Sequence, residues 1–150
     1  MHKTQLERSK NLKVKEKGRE IAFKLLFAID VGKNSLPDAI SFFRYEYPVA
    51  IDYAMLLVNG TLSHMEYIDK NIENLLEKWS FDRVYVVDKE LLRLGVFEIE
   101  FVNDIDDGLV VYEIVELAKK YGDNESGNFV NGILRNFLRQ REKEKEDEKA

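Results

Sequence analysis

The chain has 150 residues, of which 45% are hydrophobic and 11% aromatic, enough apolar matter for one compact unit and too much for a disordered chain. It has no cysteine, which excludes disulfides and thiolate metal sites and fits a reducing cytosol. The formal net charge of -5 argues against a general polyanion binder that works by covering phosphates.

The charge is unevenly spread. Residues 1–24 hold eight Lys/Arg against three acids, a local charge of +5 that leaves -10 for the rest. A basic segment on an acidic body favours a specific docking site over sliding along any polyanion. The first residues contain no apolar run of signal-peptide type, and nowhere do about 18 uncharged apolar residues follow one another, so a cytoplasmic location is expected and a membrane partner is not. Residues 1–12 are read as a flexible basic arm.

A helical period then dominates, interrupted only by Pro37 and Pro48. The first helix is predicted from about Val14 to Val31, its stripe made of Ile21, Ala22, Leu25, Leu26 and Ile29, with Gly32 placed to stop it. A second begins at Ser35, a third covers Val49 to about Leu62, and a fourth runs from Met65 to Trp79, with Ser63 and Glu66 at capping-box spacing. After a turn at 80–83, Asp88 is the expected cap of a helix from Lys89 to Val102 that is apolar nearly all round and belongs at the centre of the C-terminal half. A helix from Leu109 to Tyr121 closes at Gly122, and the last runs from about Ser126 to Arg139. Residues 140–150 balance their charges and read as either a solvated helical extension or a disordered tail.

The fold class is therefore all-α, about seven helices in two packed helical subdomains, residues 13–79 and 80–139 of a single domain spanning 13–139. Arg93 lies in the most apolar segment, where an unpaired charge is costly, so an ion pair with a carboxylate such as Glu113 or Glu116 is expected.

Chemistry is harder to find. The glycines form neither a P-loop nor a dinucleotide fingerprint, and His2 and His64 stand far apart without metal-site spacing, which leaves His64 a structural or surface role. With no Cys and one usable His the common nucleophilic triads are excluded, and neither metal nor cofactor is expected. The pairs Asp106–Asp107 and Glu113–Glu116 read as loop and helix-surface charge rather than catalytic acids.

Four segments together are specific: GREIAFKLLFAID from Gly18, HMEYIDKNI from His64, VDKELLRLGVFEIEF from Val87, and YEIVELAKKYGDNESGNFVNGIL from Tyr112. Their order and spacing from Gly18 to Leu138 resemble the N-utilization substance B (NusB) family. Leu92-Arg93 with Phe97-Glu98, Glu113 to Gly122, and Phe129-Val130-Asn131-Gly132 are the diagnostic pieces. Departures from the family pattern are a lysine-rich rather than arginine-rich arm, Tyr112 where relatives often have Asn, and Asp106 in place of a proline.

The resemblance implies a non-enzymatic, all-α RNA-binding transcription antitermination factor. Such a protein binds boxA-type single-stranded RNA together with the small-subunit ribosomal protein NusE and joins the RNA polymerase antitermination complex, and is a monomer or homodimer in isolation. It makes Lys10, Lys13, Lys15, Lys17 and Arg19 phosphate contacts, against the plainer reading of a solvated terminus. Phe129 is a base-stacking ring or core packing, Glu125, Ser126 and Asn128 read base edges or cap a helix, and Tyr67 is a further stacking candidate. Phe27 and Asp88 match family positions that face the ribosomal-protein partner, while core packing competes for Phe27. Two other functions compete: an RNA-targeting domain of a ribosomal RNA methyltransferase, for which the 150 residues offer no cofactor-binding βαβ unit, and a protein–protein adaptor without RNA, which leaves the basic segment unexplained.

Overall fold

A computed structural model describes residues 4–32, 35–77 and 80–149. Among them lie seven α-helices: α1 (Gln5–Val31), α2 (Leu36–Glu46), α3 (Ala50–Ser63), α4 (Met65–Leu75), α5 (Val86–Phe101), α6 (Asp107–Tyr121) and α7 (Ser126–Lys149), with a short 3-10 turn at Phe81–Arg83. They fall into two compact units, Met1–Gly60 and Thr61–Ala150.

In the first unit, helix α1 starts nine residues before the Val14 expected from the apolar stripe, because Thr4 and Glu7 form a capping box. The Glu7 N–H donates to the Thr4 hydroxyl at 3.1 Å and the Thr4 N–H donates to the Glu7 carboxylate at 3.2 Å. Two otherwise orphaned donors are thereby satisfied, so the basic segment is wound as helix rather than left loose. Its end is the one foreseen: Gly32 takes φ 68°, a left-handed turn that a Cβ would strain, and its N–H donates to the Ala28 carbonyl. The stripe Ile21, Ala22, Leu25 and Leu26 is buried, as are Ile51, Ala54, Leu57 and Val58 of α3. Gly18 matters here because a Cβ would meet the Tyr53 ring at 3.0 Å and the Ala50 carbonyl at 3.2 Å, so the bare backbone admits α3 closely. Helix α2, with Pro37 in its first turn, buries no residue fully.

The second unit is built on α5, which packs against α4, α6 and α7. Leu91, Leu92, Leu94, Val96 and Ile99 are all at most 2% exposed, as expected of a helix apolar nearly all round. At Gly95 a Cβ would press on Leu134 at 3.0 Å, which explains a small residue where α5 and α7 meet. Val110, Ile114 and Ala118 of α6 and Val130, Leu134 and Phe137 of α7 complete the core. Helix α4, grouped by the sequence with the N-terminal helices, packs on α5 and α7 through Ile68, Ile72 and Leu75.

Two capping expectations change, and one cap is new. Ser63 ends α3, and His64 precedes α4 without a side-chain cap bond, so the Ser63–Glu66 spacing is not a capping box. Helix α5 begins at Val86, which puts Asp88 in its first turn rather than before it, a place that still suits a negative charge near the helix dipole's positive end. Asp106, read from the sequence as loop charge in the place of the family's proline, caps α6 by accepting the Leu109 N–H at 3.1 Å. Trp79, the expected end of the fourth helix, lies outside the described residues. Residues 140–149 continue α7 as exposed helix, with Arg141 paired to Glu100 of α5.

Candidate nucleic-acid interface

In the first unit, Lys10 and Lys13 are exposed along α1, and Lys15 and Lys17 are half-buried one and two turns before the buried stripe. Arg19 is only 2% exposed. The reason is aromatic packing. The Arg19 guanidinium lies 6.0 Å from the centre of the Tyr53 ring, and the Lys15 ammonium 5.6 Å from that same centre. Lys17 stands 4.9 Å from the centre of the Tyr47 ring and pairs with Glu20 at 2.9 Å. Three cations of α1 are thus set against two tyrosine rings. Neither tyrosine figures among the residues chosen from sequence. The signal lay in YEYP and IDY, whose Tyr47 and Tyr53 stand 30 and 38 residues beyond the lysines they meet, and nothing in a linear reading joins the two. Phe27, the partner-facing candidate, is half-buried with its ring 6.1 Å from buried Phe23, so packing accounts for part of it.

In the second unit, the start of α7 is organised by Asp123. Its carboxylate accepts the Glu125 N–H at 2.9 Å, the Ser126 N–H at 3.0 Å and the Ser126 hydroxyl at 3.1 Å. Led by the bond from the Glu125 N–H and joined by the two from Ser126, these donors outweigh burial and hold the Asp123 carboxyl below its ordinary pKa. Ser126 is wholly buried, and its hydroxyl also bonds Asp88. Its hydrogen bonds are spent inside the unit, so the hydroxyl positions the loop and offers nothing to a base edge. A Cβ on Gly122 would run into that hydroxyl, so the glycine is required for space; its φ of -90° is ordinary.

Asp88 is 6% exposed and one carboxylate oxygen has no hydrogen-bond partner. Burial pushes its carboxyl up, the Ser126 bond opposes this, and the charge of Asp123 adds to the rise. A partner protein therefore meets little of Asp88 itself. Glu125 and Asn128 are exposed beside this loop, and Phe129 is half-buried, so its ring is neither sealed in the core nor fully open.

Tyr67 is 46% exposed. Its hydroxyl donates to Glu100 at 3.1 Å and its ring meets Phe101 edge-on with centres 6.0 Å apart, while the His64 ring lies tilted against Phe101 with centres 4.1 Å apart. His64 thus sits on the surface against an aromatic neighbour, and among the described residues no group of three or more His, Asp or Glu side chains is arranged to hold a metal.

Arg93 does form the expected ion pair, though with other partners than Glu113 or Glu116. Its fork grips Asp69 of α4 at 2.8 and 2.9 Å, and its remaining nitrogen meets Glu90 at 3.1 Å. Burial acts to lower its pKa, but the hydrogen bonds and charges of Asp69 and Glu90 outweigh it, and the guanidinium is held more firmly protonated than usual. Glu116 instead pairs with Lys119, one turn on along α6.

No helix among the described residues is long and apolar enough to cross a membrane. The profile of the NusB family matches residues 16–139. A transcription antitermination protein NusB of Desulfitobacterium hafniense is 44% identical over 121 residues, covering 77% of this chain and 82% of that protein. The solved structure of Thermotoga maritima NusB superimposes with a TM-score of 0.73 at 34% identity, covering 81% and 88% of the two chains. The structure of antitermination factors NusB and NusE in complex with dsRNA gives a TM-score of 0.75 at 33% identity, covering 85% and 98%.

Proposed function

The chain belongs to the NusB family, and from that premise we propose that it is an RNA-binding transcription antitermination factor that binds boxA-type single-stranded RNA together with the ribosomal protein NusE. In this role it joins RNA polymerase during antitermination and ribosomal RNA synthesis. The observation that carries the reading is the likeness, over 85% of this chain, to a NusB whose structure was solved with NusE and dsRNA.

The residues divide by exposure. Lys10, Lys13, Lys15 and Lys17 supply phosphate contacts from α1, each releasing counterions on binding. Phe129, flanked by Glu125 and Asn128, supplies a ring and base-edge contacts, and Tyr67 is a second ring. Arg19, Ser126 and Asp88 work from beneath, holding Tyr53 and the start of α7 in place. Phe27 and the surface around Asp88 face NusE.

The test is equilibrium binding of a short boxA-type single-stranded RNA and of its duplex, with and without NusE, at two salt concentrations. Single-stranded RNA is expected to bind more tightly than duplex and more tightly still with NusE. Neutralising Lys13, Lys15 and Lys17 is expected to reduce the slope of log K against log salt by up to about three. Salt-insensitive or absent RNA binding, with NusE binding retained, leaves the adaptor function.

A further inference from the structure

We propose that Tyr47 is a nucleobase-stacking residue, its ring a second platform for single-stranded RNA built into the first unit beside the lysines of α1. The inference rests on the RNA-binding reading above and adds a site to it.

Tyr47 is at the end of α2, where its N–H donates to the Phe43 carbonyl at 2.7 Å and fixes the backbone that carries the ring. The residue is 36% exposed, so part of it meets solvent. Lys17 stands 4.9 Å from the ring centre, kept there by its 2.9 Å pair with Glu20. Beside it, Lys15 and the buried Arg19 flank Tyr53, and Gly18 lets that tyrosine lie against the backbone of α1. Cations and aromatic rings therefore alternate over a short stretch, both held by neighbours instead of waving free.

That alternation selects the ligand. A cationic rim repels the Arg and Lys side chains that commonly fill aromatic faces, and an acidic peptide brings carboxylates but no planar group for the ring. A nucleotide brings both parts in one residue, a flat π-face and a phosphate. On binding, the base takes the Tyr47 face and the Lys17 ammonium turns from the ring toward phosphate. A contact with every base's π-face carries little sequence preference, so this platform grips RNA while base-edge contacts elsewhere discriminate.

The test uses the full chain and the single-stranded boxA-type RNA, read by fluorescence anisotropy at two salt concentrations, with Tyr47→Ala, Tyr47→Phe and Lys17→Gln. Tyr47→Ala is expected to weaken binding about fivefold to a hundredfold with the salt slope unchanged. Tyr47→Phe, which keeps the ring, stays within about twofold of wild type. Lys17→Gln lowers the slope by about one. If wild type binds and Tyr47→Ala binds equally well, the platform is refuted and the RNA-binding reading stands. If Tyr47→Phe loses as much affinity as Tyr47→Ala, the hydroxyl rather than the ring face makes the contact, and if Tyr47→Ala lowers the Tm in step with its affinity, the ring acts through folding; either result refutes the stacking role. If wild type fails to bind RNA with or without NusE, the reading falls and takes the platform with it.

Discussion

Arg93 shows why a charge can sit in the apolar middle of a helix. Glu90, one turn before it, is 1% exposed, and removing the guanidinium takes from that buried carboxylate the opposite charge that faces it at 3.1 Å. Arg93→Ala is therefore expected to cost about 3–5 kcal/mol in denaturant unfolding. Asp69→Ala, removing a more exposed carboxylate, costs less; an equal loss from both would show that the Asp69 fork, not the burial of Glu90, dominates. The Asp88–Ser126–Asp123 cluster sets two carboxyls in opposite directions. Asp88 is raised on folding, so its protonated form favours the fold, and its contribution is fullest below the unfolded carboxylate pKa and lost as pH rises through the raised value. Asp123 is lowered, so its contribution is present above the unfolded pKa and is lost as pH falls through the lowered value. Asp88→Asn, a neutral isostere that still bonds Ser126, is expected to raise the Tm near neutral pH and to flatten the stability profile just above the ordinary carboxylate range. Thermal melts across that range decide it, and a lower Tm near neutrality would show that the fold favours the charged form.

Among elements, the apolar stripes told which residues are buried, and polar caps decided where helices start. Ile21, Ala22, Leu25 and Leu26 were legible because a 3.6-residue period repeats over them, and Gly32 because few other residues accept its φ. The start of α1 was misjudged because the stripe fades before Val14, while Thr4 and Glu7 carry the helix on with no apolar signal at all. Thr4→Ala is expected to weaken that first turn by about 1 kcal/mol. Hydrogen exchange of the amides at 5–8 should quicken while those of residues 21–26 stay protected; uniform protection would mean the capping box is idle. The end of α7 posed a similar ambiguity. Alternating Lys and Glu in 140–149 suit a solvated helix as well as a disordered tail, and the Arg141–Glu100 pair helps anchor the helical outcome.

At the scale of the whole molecule, amphipathic pattern gave the all-α class, about seven helices and the central place of α5, but periodicity says which face is buried without saying against what. Asp69 is 24 residues from the arginine it grips, and Tyr47 and Tyr53 are 30 to 38 residues from the lysines beside them. Such pairings are set by how helices cross, which a linear pattern does not encode. The candidate site was accordingly half legible. Lys10, Lys13, Glu125 and Asn128 are exposed, as a binding role requires, whereas Arg19, Ser126 and Asp88 are buried, which their place in a linear pattern does not reveal.

The Thr4–Glu7 capping box has one last thermodynamic corollary. A cationic segment already coiled before its ligand arrives has little backbone freedom left to surrender, so association amounts to closing two surfaces rather than folding one of them. Titration calorimetry over a range of temperatures would then register the modest heat-capacity change of a small wet contact, in place of the large negative one that accompanies a tail ordering on its target.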